Sequence, residues 1–184
     1  MPVVELPVAV AALANVAFWA VAHATSGYVA HCLPATALAH DGRLLRLRGI
    51  ERAGRLYERT LRIRSWKDRL PEAGDLFTGG VSKRRLPGRG RDGIEGFVRE
   101  TRRAELAHWM CLVPLPMCAL WNPPVGFVAM VVYGFAVNLP FIAVQRYNRS
   151  RCQRVLTTRT ERSSRSRSRA DGEVEPPTNG NSIP

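Results

Sequence analysis

"VRETRRAELAHWMCLVPLP", residues 98–116, joins two kinds of chain without a linker. Five charged side chains fall between Arg99 and Glu105, after which the sequence turns apolar, with His108 at the seam. A charged helix end can abut a bilayer in this way. Long basic side chains reach back to the headgroups while their stems stay in apolar surroundings. Trp109 follows where an indole favours the membrane interface. The stretch reads as the charged collar of a membrane segment.

The charge distribution of the whole chain supports that reading. Of 184 residues, 27 are Lys or Arg and 15 are Asp or Glu, a net charge of +12. Residues 1–40 carry one of these charges, Glu5, and residues 109–145 carry none. Residues 41–108 hold 18 basic and 10 acidic side chains, and the remainder from Arg146 holds 9 and 4. A basic chain can bind nucleic acid, but that function leaves the long uncharged blocks unexplained. Membrane lipids are the expected partners and nucleic acid is not.

Leu6 to Ala22, "LPVAVAALANVAFWAVA", and Pro124 to Val144, "PVGFVAMVVYGFAVNLPFIAV", are each uncharged. The second would rise about 32 Å as a helix, enough to cross a hydrocarbon core of about 30 Å. The first could be a secretory signal, since Ala22-His23-Ala24 resembles a cleavage site, but "MPVVEL" before it lacks Lys and Arg. It is expected to be a retained helix. Between them, residues 106–121 are shorter and interrupted by Pro114 and Pro116. The basic regions on either side of 106–144 belong together in the cytoplasm by the positive-inside rule. That requires a hairpin, turning at "WNPP", 121–124. The expected fold is an all-α membrane protein of about three transmembrane helices, two forming the hairpin, multi-pass in the cell membrane. Its divisions are an N-terminal transmembrane region (1–40), a basic cytoplasmic loop (41–105), the hairpin (106–156) and a disordered Arg/Ser-rich tail (157–184). Pro140 predicts a kink near Asn138.

Within the loop, "ERAGRLYERTLRIRSWKDRLP" places Leu56, Ile63, Trp66 and Leu70 at spacings of 7, 3 and 4. This predicts a basic amphipathic helix lying on anionic headgroups. The Gly- and Pro-rich loop after it lacks the Lys-Ser/Thr of a phosphate-binding loop. The four cysteines show no ligand spacing and read as packing residues.

Chemistry concentrates at the seam. On a helix Thr101, Glu105 and His108 share a face, and a carboxylate near an imidazole can fix its tautomer and raise its basicity. His108 is the candidate general base, with Glu105 orienting it. Arg103, Arg146 and Asn148 are the candidates for binding polar parts of a substrate. The same residues also suit structural pairing of Glu100 or Glu105 with Arg146 or Arg149 across the hairpin. No second E-x-x-H pair exists, so neither a metal nor another cofactor is expected.

"ETRRAELAHW" (100–109) and "NLPFIAVQRYNRSR" (138–151), with "WKDRLP" (66–71) upstream, resemble the glycosyl-4,4'-diaponeurosporenoate acyltransferase family. The likeness runs from about residue 50 to 155 and excludes the tail. It implies a membrane acyltransferase that esterifies a fatty acyl group onto a glycosylated carotenoid or similar lipid-like hydroxyl, with an acyl thioester as donor. The H-x-x-x-x-D pattern of glycerol-phosphate acyltransferases is absent, since none of the four histidines has an Asp five residues on. A non-catalytic membrane protein that assembles lipid-pathway enzymes is the alternative.

Overall fold

The computed structural model describes residues 2–70 and 90–172, and among these every regular element is helical. The chain forms α1 (Val8–Cys32), α2 (Arg55–Thr60), α3 (Arg91–Leu112) and α4 (Pro124–Gly172), with short 3₁₀ turns between them. Helices α1 and α4 each contain a stretch long and apolar enough to cross a membrane. Val8, Leu13 and Val16 of α1 and Val125, Val128 and Val132 of α4 stay exposed. Aliphatic surface on this scale has a physical rationale against lipid and little in water.

The charged collar and the apolar stretch after it are one helix. Helix α3 begins at Arg91 and runs through Glu105 into Leu112. The expected middle transmembrane helix is therefore not a regular helix of its own. Pro114 and Pro116 each remove a backbone donor, and the chain passes into a 3₁₀ turn, Leu115–Leu120. Of the four cysteines, all unpaired, Cys111 and Cys118 pack with Trp19, Ala22 and Leu115.

Polar contacts fix how the three legs run. At the tip, Trp121 Nε1 donates to Asn15 Oδ1 at 2.8 Å, and Asn15 and Asn122 exchange amide hydrogen bonds of 3.0 and 2.8 Å. At the other end the Arg103 guanidinium donates to the carbonyls of Ala30, His31 and Leu33. A cation there satisfies carbonyls left over at the C-terminus of α1 and opposes its dipole. Helix α1 thus runs antiparallel to the α3 leg, which runs antiparallel to α4.

Close approach of α1 to α4 depends on Gly134. A Cβ at that position would lie 2.6 Å from Trp19 Cη2 and 3.0 Å from Cζ2. Gly134→Ala is expected to destabilise the bundle by about 1–3 kcal/mol, the usual cost of overpacking. Thermal unfolding in detergent measures this, and adding Trp19→Phe should recover part of the loss. A Gly134→Ala melting curve unchanged from the parent's would show that the indole shifts at no cost.

The loop differs from the expected amphipathic helix. It breaks into a 3₁₀ turn at Gly49–Gly54, the six-residue α2, and further 3₁₀ turns at Ile63–Ser65 and Lys67–Arg69. Gly54 has φ +92° and carries its backbone against the Tyr147 ring, 3.0 Å from where a Cβ would be. Arg62 adopts the left-handed region at φ 46°, which ends the helical run. Ile63, Trp66 and Leu70 pack on Val144 and Tyr147 of α4 rather than forming a stripe for headgroups. Residues 71–89 of the expected Gly/Pro loop (71–93) lie outside the described residues, and its last three, 91–93, belong to α3.

Helix α4 also continues beyond Thr157, where disorder is expected, as far as Gly172. Its described side chains from 157 to 169 are all exposed. No Gly or Pro interrupts this segment before Gly172, and Thr157, Thr158 and Thr160 bond back to carbonyls four residues earlier. The last part of the expected tail, 173–184, is outside the described residues.

Candidate active site

Where the collar of α3 meets α4, the apolar pattern of both helices gives way to buried polar groups. Thr101, Arg102 and Glu105 of α3 face Asn138, Gln145 and Arg149 of α4, all buried. The strand of chain after α1, from Leu38 to Glu51, closes over them.

Glu105 is fully buried and lies between two guanidinium groups. Arg146 Nη1 is 2.7 Å from Oε1, and Arg149 Nη2 is 2.6 Å from Oε2. Trp109 Nε1 also donates to Oε1, at 3.3 Å. Arg146 in turn donates to Glu51 Oε1 at 2.7 and 2.9 Å, and to the carbonyls of Leu44 and Arg46. Arg102 holds Asp41 at 2.6 Å and the carbonyls of Leu38 and Ala39. Arg149 Nη2 donates to Leu45 O at 2.6 Å. Three carboxylates thus balance three guanidiniums, so the cluster has no net charge with which to attract an anion. Each buried ion here is compensated, as low-dielectric surroundings demand.

Tyr57 completes this cluster by donating to Glu51 Oε1 at 3.1 Å. Burial, followed by the neighbouring Glu51 charge, pushes its phenol up to about 12. It therefore remains a hydrogen-bond donor at neutral pH. On the outer side Tyr147 donates to Glu58 at 2.9 Å. That bond, followed by the charges of Arg64 and Arg151, holds the Glu58 carboxyl below its ordinary range.

His108 sits one turn deeper than Glu105. Its Nδ1 lies 2.9 Å from Asn138 Oδ1, and its ring stacks on Phe141 with centroids 4.7 Å apart at 18°. The amide of Asn138 donates through Nδ2 to Gly134 O at 2.9 Å. A backbone carbonyl only accepts, so Nδ2 must face Gly134 and Oδ1 must face the imidazole. An amide oxygen also only accepts, so Nδ1 of His108 carries a proton. In the neutral ring the basic lone pair then belongs to Nε2.

The two helices bring Glu105 against Arg146, with His108 one turn deeper beside Asn138, and they divide the roles differently from the expectation. The group found at His108 Nδ1 is Asn138, while Glu105 is committed to Arg146 and Arg149. Every guanidinium nitrogen of Arg146 is engaged by protein acceptors. Arg103 pairs with Glu100 at 3.2 Å and caps α1. Asn148 is partly buried, and among the described residues its side chain makes no hydrogen bond. Asp41, Glu51 and Arg102 carry no local signal of their positions. Asn138 does: a lone amide in an otherwise apolar run must find a hydrogen-bond partner once it is buried. Among the described residues no group of three or more His, Cys, Asp or Glu is arranged to hold a metal.

Residues 41–158 match the model of the glycosyl-4,4'-diaponeurosporenoate acyltransferase family. The chain is 34% identical over 115 residues to a glycosyl-4,4'-diaponeurosporenoate acyltransferase of Staphylococcus haemolyticus, covering 62% of this chain and 67% of that protein. It is 32% identical over 115 residues to the protein of the same name in Staphylococcus aureus, covering 61% and 69%. No solved structure matches.

Proposed function

The chain belongs to the glycosyl-4,4'-diaponeurosporenoate acyltransferase family and is an acyltransferase; from this premise we propose that it esterifies a hydroxyl of a glycosylated carotenoid within the cell membrane. The relatives' names supply the acceptor class, and a fatty acyl thioester is the donor. The protein crosses the bilayer three times, with the α3 leg as the short middle crossing and the collar on the cytoplasmic side.

The tautomer of His108 carries this reading. Ester formation requires a base for the acceptor hydroxyl at the depth where a polar sugar on an apolar tail comes to rest. Nε2 of His108 is that base, held by the chain Nδ1–H to Asn138 Oδ1 and Asn138 Nδ2–H to Gly134 O. The hydroxyl oxygen attacks the thioester carbonyl and its proton passes to Nε2. The C–S bond then breaks, and the proton leaves with the departing thiolate as thiol. Asn138 acts by positioning the ring and stabilising the imidazolium through its oxygen. Glu105, Arg146 and Arg149 keep α3 and α4 in register beneath it.

Membranes containing the protein are expected to convert a glycosylated carotenoid and an acyl thioester into a less polar ester, read by chromatography and mass. Asn138→Leu leaves Nδ1 without its acceptor and should depress kcat more than KM. Absence of ester with every acyl thioester and free fatty acid tested would remove this reaction and leave the assembly role.

A further inference from the structure

Below the collar, α1 and α4 leave a groove of about 410 Å³ between them. Val16, Trp19, Ala20 and His23 of α1 line one side, and Met130 and Tyr133 of α4 line the other. The rings of Trp19 and Tyr133 meet edge to face, with centroids 5.2 Å apart. The groove leads to His108. Met130, Tyr133, Val137 and Phe141 follow one another on α4 at steps of 3, 4 and 4, which makes them a single stripe of the helix. All four are exposed or only partly buried, and Phe141 carries the stacked ring of His108.

We propose that this groove holds the conjugated apolar tail of the glycosylated carotenoid and so selects the acceptor by its tail. The proposal rests on the esterification given above. The hydroxyl to be acylated sits at Nε2 of His108, so the tail of the same molecule starts from that level. Asn138 lies five residues beyond Tyr133 and eight beyond Met130 on α4, about 7.5 and 12 Å of helix rise. On α1 the Trp19 indole meets Gly134, whose carbonyl takes the Asn138 amide. His23 stands one turn nearer the collar than Trp19. The sugar occupies the space under the collar, and the tail continues down the groove toward the hydrocarbon core.

The shape of the groove favours this tail over the acyl chain of the donor. A saturated chain gives up rotations to lie straight between two parallel helices, whereas a conjugated chain is straight before it binds. Such preorganisation lowers the cost of ordering the ligand. Trp19 and Tyr133 add rigid aromatic surface for it to pack on. The volume lies within the range of small-ligand sites, about 300–1,000 Å³. Val16 and Ala20 are both exposed, so the groove is open along its length to the bilayer. An acceptor dissolved in lipid enters sideways there, while a water-borne thioester arrives from the collar.

The test uses the full chain in nanodiscs, with Ala20→Phe to narrow the groove from its open side. Displacing part of the tail should raise the KM for a glycosylated carotenoid by about tenfold or more. The KM values for the same sugar on a short alkyl chain and for the acyl thioester should shift by less than about twofold. Val16→Phe, one turn deeper on α1, should reproduce the shift. Val21→Phe, exposed on another face of α1, should not. Equal shifts for long- and short-tailed acceptors, no shift for either, or the same shift from Val21→Phe would overturn the assignment. A shift that follows the chain length of the thioester would give the groove to the donor instead. Quenching of tryptophan fluorescence by the polyene reads binding apart from the reaction. Binding that weakens in Ala20→Phe, without ester formation in the parent, upholds the groove and sinks the His108 chemistry. Ester formation that needs His108 while both groove variants keep the parent's acceptor KM does the reverse.

Discussion

Substituting His108 by alanine is expected to lower acyl transfer by about 10²–10⁴-fold, the usual consequence of removing a positioned general base. The protein itself should persist in the membrane. His108 is only partly buried, and its losses include a stacking contact with Phe141 and a hydrogen bond to Asn138. Each of these contributes on the order of 1 kcal/mol. His108→Gln gives a cleaner comparison: its amide can still donate to Asn138 Oδ1, but it cannot accept a proton at neutral pH. Both variants should therefore fail in turnover, while only the alanine variant loses measurable stability. Arg169→Ala, on the exposed far end of α4, provides the control and should leave the rate unchanged. Near-normal activity per folded molecule in His108→Ala would make the imidazole a packing group and end the catalytic assignment.

How much of this could be read from the chain depends on the range of the interaction concerned. Segregated charge is a local property, and it pointed to long apolar helices before any contact was known. The steps of four and three from Thr101 to His108 likewise placed the polar face of α3 correctly, because a helix fixes such spacings by itself. The orienting partner of His108 is another matter. Glu105 is three residues away and Asn138 is thirty, and sequence spacing favours the nearer group. The side-chain directions on α3 send Glu105 to two arginines across the hairpin, and the polar amide left inside α4 takes its place. The loop failed for a related reason. Its apolar spacing fits a helix, yet Gly54 and Arg62 both take positive φ so that Ile63 can reach Val144 and Tyr147. The periodicity of the residues was real, but the surface they were meant for was α4. In the tail, Ser and Arg composition suggested disorder, whereas an α4 already nucleated in the bundle extends at low cost.

Breaking the buried pairing at Glu105 should have the largest effect on stability. With Glu105 changed to Gln, Arg146 keeps Glu51 but Arg149 loses its closest anion, and Arg149 is fully buried. Two of its nitrogens, Nε and Nη1, already have no hydrogen-bond partner among the described residues. Asp41 is the nearest remaining carboxylate, at 3.9 Å from Nε. Removing one partner of a buried pair costs about 3–5 kcal/mol, because the other charge stays behind without compensation. An exposed pair such as Arg91 with Glu95 is worth less than about 1 kcal/mol, so Glu95→Gln serves as the comparison. Glu105→Gln is therefore expected to appear at much lower abundance in membranes and to unfold earlier in detergent. Its activity per folded molecule should remain close to that of the parent, since Asn138 rather than Glu105 faces Nδ1 of His108. Arg149→Leu, which removes the stranded cation, should restore part of the stability when combined with Glu105→Leu. A Glu105→Gln protein that folds normally but does not transfer acyl groups would reverse the division of roles, placing the carboxylate in the chemistry and leaving the latch to Arg102 and Asp41.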